Sequence, residues 1–104
     1  MRKEEALYNE IGDTLEQAIK SKMFGVPCLK VNKKAFVSFY DNCMVFKLQA
    51  GSAIHSEVLS LDGSELFDPS GKNRPMKEWI QVPYDYSDKW LEFATEAKHF
   101  VSQL

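Results

Sequence analysis

The sequence predicts an α+β protein that forms a single domain over residues 1–104. Apolar residues repeat at helical spacing near both ends of the chain, and short β-like runs separated by turn residues fill the middle. The 104 residues suffice for one domain with its own core and are too few for two. The predicted order is helix, three-stranded antiparallel meander, helix, two strands, helix.

The first predicted helix covers about residues 3–20. Its apolar residues recur every three or four positions, with acidic residues between them. The stripe consists of Leu7, Ile11, Leu15, Ala18 and Ile19. Gly12 lies inside this helix, where glycine costs about 1 kcal/mol relative to alanine.

Three β-like runs follow Gly25. They are Val26 to Val31, Ala35 to Tyr40 and Met44 to Leu48. The connections Asn32-Lys33-Lys34 and Asp41-Asn42 are short and contain turn-prone residues, as β-hairpins do. Two tight turns in succession predict an antiparallel meander.

A short helix over 52–61 is predicted next, with Ser52 as its N-cap and Asp62-Gly63 as its stop. A brief strand at Glu65–Phe67 and a longer one from Met76 to Val82 then flank a polar loop. Trp79, on the longer strand, is predicted to belong to the core.

The last helix is predicted to begin at Ser87 as N-cap, with Tyr86 packed against Leu91. Its apolar residues follow one stripe and are expected to be buried. They are Trp90, Leu91, Ala94, Ala97, Val101 and Leu104.

Composition narrows the class of protein. No apolar stretch approaches the roughly 20 residues that span a bilayer, and no apolar segment follows the basic residues at the N-terminus as in a signal peptide. The two cysteines, Cys28 and Cys43, have no CxxC spacing and lie in apolar runs. We expect a cytoplasmic protein that does not contact the membrane, either a monomer or a weak homodimer paired through the short strand Glu65–Phe67.

The sequence contains no recognisable catalytic, metal or cofactor motif. His55 and His99 are far apart and neither pairs with a local cysteine or carboxylate motif, so a metal site would require a tertiary arrangement of these histidines with a cysteine. The loop around Gly71-Lys72 lacks both the earlier glycine and the following Ser or Thr of a Walker loop. We therefore predict a protein that is not an enzyme and has no cofactor.

The charges are unevenly distributed although the net charge is only −2. No acidic residue occurs between Gln17 and Tyr40, and a second basic group, Lys72, Arg74 and Lys77, lies in the polar loop and just after it. Such asymmetry permits a basic face on an acidic protein, and a solvated surface is the alternative. The candidate contacts to an anion or a nucleic acid are Lys30, Lys33, Lys34, Lys72, Arg74 and Lys77.

Several segments together resemble a known family. They are Met23-Phe24-Gly25, residues 32–36, residues 44–48, Phe67-Asp68-Pro69, residues 74–79 and Val82-Pro83. Their order and spacing resemble the TfoX N-terminal domain family and its MmcQ/YjbR-like relatives, from about residue 5 onward. The resemblance implies an α+β fold of the YjbR-like, secretion-chaperone-like kind. It implies no catalytic residues, because the family has none agreed, and its relatives are often labelled DNA-binding by fold analogy.

Two functional hypotheses follow. The first is a non-enzymatic binding or regulatory module that resembles the TfoX N-terminal domain and contacts a protein, a nucleic acid or a small anion. The second is a DNA-binding accessory protein that uses the basic hairpin and loop. The position of the basic residues on one face, or their scatter over several, distinguishes nucleic-acid or anion binding from a protein-interaction role.

Overall fold

The computed structural model describes residues 2–23 and 25–104, so Phe24 of the Met23-Phe24-Gly25 motif lies outside the described residues. It contains three α-helices and one six-stranded antiparallel sheet, which is an α+β fold. The helices are α1 (Lys3–Thr14), α2 (Ala53–Leu59) and α3 (Trp90–Ser102). The strands are β1 (Ile19–Met23), β2 (Val26–Val31), β3 (Lys34–Tyr40), β4 (Cys43–Lys47), β5 (Glu65–Phe67) and β6 (Met76–Val82).

The predicted antiparallel pairing of β2, β3 and β4 is present, but β1 extends it, so the meander has four strands rather than the predicted three. The connections from β2 to β3 and from β3 to β4 are two-residue turns, and Asn32, Lys33, Asp41 and Asn42 all have positive φ values. This backbone conformation suits tight hairpins because its twist matches that of the flanking strands. The short strand β5 and the long strand β6 also lie where the sequence predicts them.

The prediction for the first helix is wrong at its C-terminal end. The helix stops at Thr14, and residues 19–23 form strand β1, which pairs antiparallel with β2. Gln17 has a φ of 65°, which reverses the chain between the two elements. Ile19, predicted to be buried on a helix, is 63% exposed on the edge strand. The sheet therefore has six strands, one more than predicted.

The predicted start of the last helix is also wrong. A 3-10 helix occupies Tyr84–Lys89, and Lys89 rather than Ser87 occupies the N-cap position of α3. Leu91 and Leu104 are exposed, whereas Phe93, absent from the predicted stripe, is fully buried. The buried residues Trp90, Phe93, Ala94, Ala97 and Val101 lie three or four positions apart on one face of α3. Leu91 lies about 100° away from Trp90, and Leu104 lies beyond the end of the helix.

All three helices cover the same face of the sheet. Buried residues from each of them join the main core, among them Tyr8 and Ile11 of α1, Val58 of α2 and Phe93 of α3. A smaller cluster of Val45, Phe67 and Trp79, with no helical member among the described residues, forms on the other face. Trp79 is 6% exposed, so its predicted burial is confirmed.

The strand order is β1-β2-β3-β4-β6-β5. Strand β6 thus inserts between β4 and β5, and the edges of the sheet are β1 and β5. Edge strand β1 carries exposed Lys20 and Lys22, and lysines on an edge strand discourage pairing with another chain. Within the described residues, no helix is both long enough and apolar enough to cross a membrane.

Helix α1 packs closely on strand β2 at Gly12. A Cβ atom at this position would lie 2.9 Å from Cδ2 of Leu29 and 3.2 Å from Cε of Lys20. Leu29 is fully buried, so its methyl group cannot move without displacing the core. The packing therefore requires glycine at position 12, although glycine is less favourable than alanine inside a helix.

We expect Gly12→Val to lower the free energy of unfolding by about 1–3 kcal/mol, because the added methyl groups overpack the contact with Leu29. Urea denaturation followed by circular dichroism measures this change. Ala6→Val is the matched control, because Ala6 is exposed on the same helix and its substitution costs less than about 0.7 kcal/mol of helix propensity. Equal effects of the two substitutions would show that the close approach of α1 to β2 is absent.

Candidate functional site

The antiparallel registers place the two predicted basic segments at the same end of the sheet. The hairpin between β2 and β3 lies at the end of the sheet where β3 begins. Strand β4 ends there, because it runs antiparallel to β3 and its Phe46 pairs with Val37 near the start of β3. Strand β6 begins at this end because Lys47 pairs with Trp79. Strand β5 ends there, since Phe67 pairs with Met76, so the loop of residues 68–75 leaves and re-enters the sheet at this end.

All six predicted residues belong to these segments or to the strands that enter them. We call this set the basic end: Lys30, Lys33, Lys34, Lys72, Arg74 and Lys77. Five of them are exposed, and Lys30 is half-buried within β2. The two ion pairs found among the described residues, Arg2–Glu4 and Lys20–Asp13, involve none of the six.

Lys47 is a neighbour of the basic end that was not among the predicted residues. Lys47 is the last residue of β4 and lies between the two basic segments. Its Nζ is 5.9 Å from the centre of the Trp79 ring, a cation–π distance. The predicted meander contained the signal, because the end of its third strand must lie beside the start of its second.

The loop of residues 68–75 is organised by Asp68. One carboxylate oxygen accepts a hydrogen bond from Ser70 Oγ at 2.7 Å, and the other accepts from the backbone N–H of Arg74 at 3.0 Å. The Ser70 hydroxyl in turn accepts from the backbone N–H of Lys72 at 3.1 Å. These hydrogen bonds, chiefly the one from Ser70, lower the pKa of the Asp68 carboxyl. Asp68 therefore fixes the backbone that carries Lys72 and Arg74.

The hydrogen bond from Arg74 to Asp68 is expected to be lost in acid. Because the pKa of Asp68 is lowered from 3.8 in the folded chain, the ionised, bonded form persists above that value and disappears as pH falls through the lowered pKa. The 15N–1H chemical shift of the Arg74 amide should titrate with a midpoint below 3.8. The Asp68→Asn variant should show no such titration, and an unchanged titration in that variant would contradict the assignment.

Two further contacts hold the start of β6 in place. His55 Nε2 lies 2.8 Å from the carbonyl oxygen of Lys77, so the ring donates a hydrogen bond to it. Glu78 Oε2 accepts a hydrogen bond from the backbone N–H of Ala50 at 3.3 Å. His55 is 8% exposed, and its Nε2 is occupied by this bond. These contacts attach the β6 side of the basic end to helix α2 and to the loop before it.

Acidic residues gather at the opposite end of the sheet. Asp41 lies in the turn between β3 and β4, Glu65 begins β5, and Asp85 follows β6. Burial is the largest cause of the raised pKa of the Cys43 thiol, and a hydrogen bond with Gln81 opposes it. The charges of these three carboxylates raise the pKa further. Three carboxylates therefore lie at the end of the strands opposite the basic end, whereas Asp68 and Glu78 lie beside the cations.

The remaining titratable groups offer little for chemistry. Burial raises the pKa of the Cys28 thiol, partly offset by Lys30, and burial also raises the pKa of Tyr8. A raised pKa leaves less of the thiolate that acts as a nucleophile. Among the described residues, no group of three or more His, Cys, Asp or Glu side chains is placed to hold a metal ion.

A shallow groove lies between the end of β4 and the C-terminal half of α3. Its volume is about 160 Å³, and His99, Glu96, Gln49 and Ser52 contribute polar groups to it. Ligand pockets typically enclose about 300–1,000 Å³, so this groove is small for a substrate site. His99 is exposed, and its Nε2 lies 3.0 Å from the side-chain nitrogen of Gln103.

Compared with known proteins, the chain matches no family model, no curated protein and no solved structure.

Proposed function

We propose that this protein is a non-enzymatic binding or regulatory module of the TfoX N-terminal kind and that its basic end binds nucleic acid. The observation that carries the proposal is the meeting of two basic segments, separated by about 40 residues in the sequence, at one end of the sheet. Cations gathered on one surface neutralise phosphates and release their counterions. This arrangement favours the DNA-binding hypothesis over a protein-interaction role.

The distance between the basic end and the carboxylates of Asp41, Glu65 and Asp85 supports the same function. A chain with a net charge of −2 has no overall attraction for a polyanion. The carboxylates of Asp41, Glu65 and Asp85 lie at the far end of the strands. Their repulsion of a polyanion at the basic end is screened, because charges separated by more than about 10 Å interact weakly at 0.1 M salt. The basic end can therefore attract phosphate while the rest of the protein remains acidic.

The surroundings of the titratable groups support a binding role over catalysis. Both thiols have raised pKa values, His55 donates to a backbone carbonyl, and the groove beside α3 is small. An activated nucleophile needs a lowered pKa or an adjacent base. Neither thiol has a lowered pKa.

The test is fluorescence anisotropy with labelled DNA at 20–50 mM NaCl. We expect binding that weakens steeply with salt, and we expect the double variant Lys72→Glu/Arg74→Glu to lose about tenfold or more in affinity. The matched control is Lys22→Glu/Lys89→Glu, which introduces the same charge change at exposed lysines toward the acidic end. Absence of binding to every duplex and single-stranded probe, or equal losses in both variants, would overturn the proposal.

A further inference from the structure

We infer that the nucleic acid bound at the basic end is double-stranded and is contacted through phosphates on both of its strands. This inference rests on the proposed function and narrows it. It derives from the spacing of the two basic segments and from the side chains that surround them.

The first argument is the distance between the two segments. The β2–β3 hairpin and the β5–β6 loop are separated by two to three strand spacings, because β4 and β6 lie between β3 and β5. At about 4.8 Å for each spacing, the separation is roughly 10–15 Å. This distance is close to the roughly 12 Å width of the major groove of B-DNA. Phosphates on the two strands that border one groove can therefore meet Lys33 and Lys34 on one side and Lys72 and Arg74 on the other.

The second argument is the environment of the aromatic rings. Proteins that bind single strands stack bases on exposed aromatic side chains. Among the described residues, the exposed large apolar side chains are Ile19, Leu91 and Leu104, none of them aromatic. Trp79, the ring closest in sequence to Lys77, is 6% exposed and packs in the second cluster. The basic end therefore offers cations to phosphates and no platform for unstacked bases.

The third argument is the way the segments are held. The hairpin is a two-residue turn within a paired meander, and the loop is fixed by the hydrogen bonds of Asp68. Asn32 and Asn73, exposed polar residues of the basic segments, have φ values of 52° and 62°. Asparagine tolerates this left-handed conformation, which accounts for its presence without a role in reading bases. Two backbone segments held at a fixed separation suit a duplex, whose phosphates are also held at a fixed separation.

The experiment compares a labelled 20-base-pair DNA duplex with each of its two strands by anisotropy titration from 20 to 200 mM NaCl. We expect the duplex to bind at least about tenfold more tightly than either strand, with a log–log salt slope of about −3 to −4.5, the value for three to five phosphates. A second duplex of unrelated sequence should bind within about threefold of the first, because phosphate contacts carry no sequence information. A duplex RNA of the same sequence should bind more weakly than the DNA duplex, because the major groove of A-form RNA is too narrow for this spacing.

The outcomes separate this inference from the proposed function. Equal or tighter binding of the single strands would overturn the inference and leave nucleic-acid binding intact. Binding of neither duplex nor single strand, or binding only of an acidic peptide such as poly-glutamate, would overturn both. The magnitude of the salt slope should fall by about two in the Lys72→Glu/Arg74→Glu variant. The Lys22→Glu/Lys89→Glu control should keep the slope of the unmodified protein. An unchanged slope in the first variant would show that these two cations do not contact phosphates.

Discussion

The Phe93→Ala variant is expected to lose about 3–5 kcal/mol of its free energy of unfolding. Phe93 is fully buried in the first turn of α3, and its ring meets that of Phe46 edge to face at a centroid distance of 5.7 Å. This pair joins α3 to β4 at the middle of the sheet. Because domains of this size are stable by only about 5–15 kcal/mol, the loss is a large part of the total.

Urea denaturation followed by circular dichroism at 25 °C measures the loss. The neighbouring Leu91 provides the matched control, since it is 42% exposed on the same helix. Leu91→Ala should change the free energy of unfolding by no more than about 0.5 kcal/mol. A larger cost for Leu91 than for Phe93 would mean that Leu91, as predicted from the sequence, belongs to the buried face of α3 and that Phe93 does not.

Reversal of four charges at the basic end is expected to reduce affinity for duplex DNA by at least about a hundredfold at 50 mM NaCl. The variant combines Lys33→Glu and Lys34→Glu in the hairpin with Lys72→Glu and Arg74→Glu in the loop. Each pair removes two attractive charges and adds two repulsive ones on a surface whose other cations remain. The losses from the two pairs should multiply, because sites more than about 7–10 Å apart usually act additively in free energy.

Anisotropy titration measures the affinities, and thermal unfolding of the same samples serves as the control for folding. All four side chains are exposed, so the free energy of unfolding should change by no more than about 1 kcal/mol. Full retention of affinity in the four-residue variant would place nucleic-acid binding on another surface. Loss from the loop pair alone, with no further loss from the hairpin pair, would exclude a surface that spans both segments.

Much of the local structure followed from the sequence because the relevant forces act over a few residues. The turns at Asn32-Lys33 and Asp41-Asn42 fixed the meander, and the N-cap Ser52 placed α2, where its Oγ accepts from the backbone N–H of His55 at 3.2 Å. The first helix was wrong beyond Thr14 because strand β1 gains its backbone hydrogen bonds from β2, a partner that the helical pattern of Ala18 and Ile19 does not reveal. The start of α3 was wrong because a 3-10 turn after Pro83 displaced the expected cap.

The candidate site was likewise predicted only in part from the sequence. The six basic residues were identified from the sequence as two separate groups, and their chemistry needed no structure. The organising role of Asp68 emerged only with the fold, because it depends on a hydrogen bond from the backbone N–H of Arg74. The position of Lys47 was implied by the predicted meander but was overlooked.

By itself the sequence determined the α+β class, the meander, and the two clusters of cations, because periodicity, turn residues and charge are properties of neighbours along the chain. Only the tertiary structure decided that the two clusters share one end of the sheet. That result depends on β6 entering between β4 and β5, a long-range pairing set by the burial of Ile80 and Val82 against the helices. No local pattern encodes such a pairing, because its free energy comes from contacts between residues that are distant in the sequence.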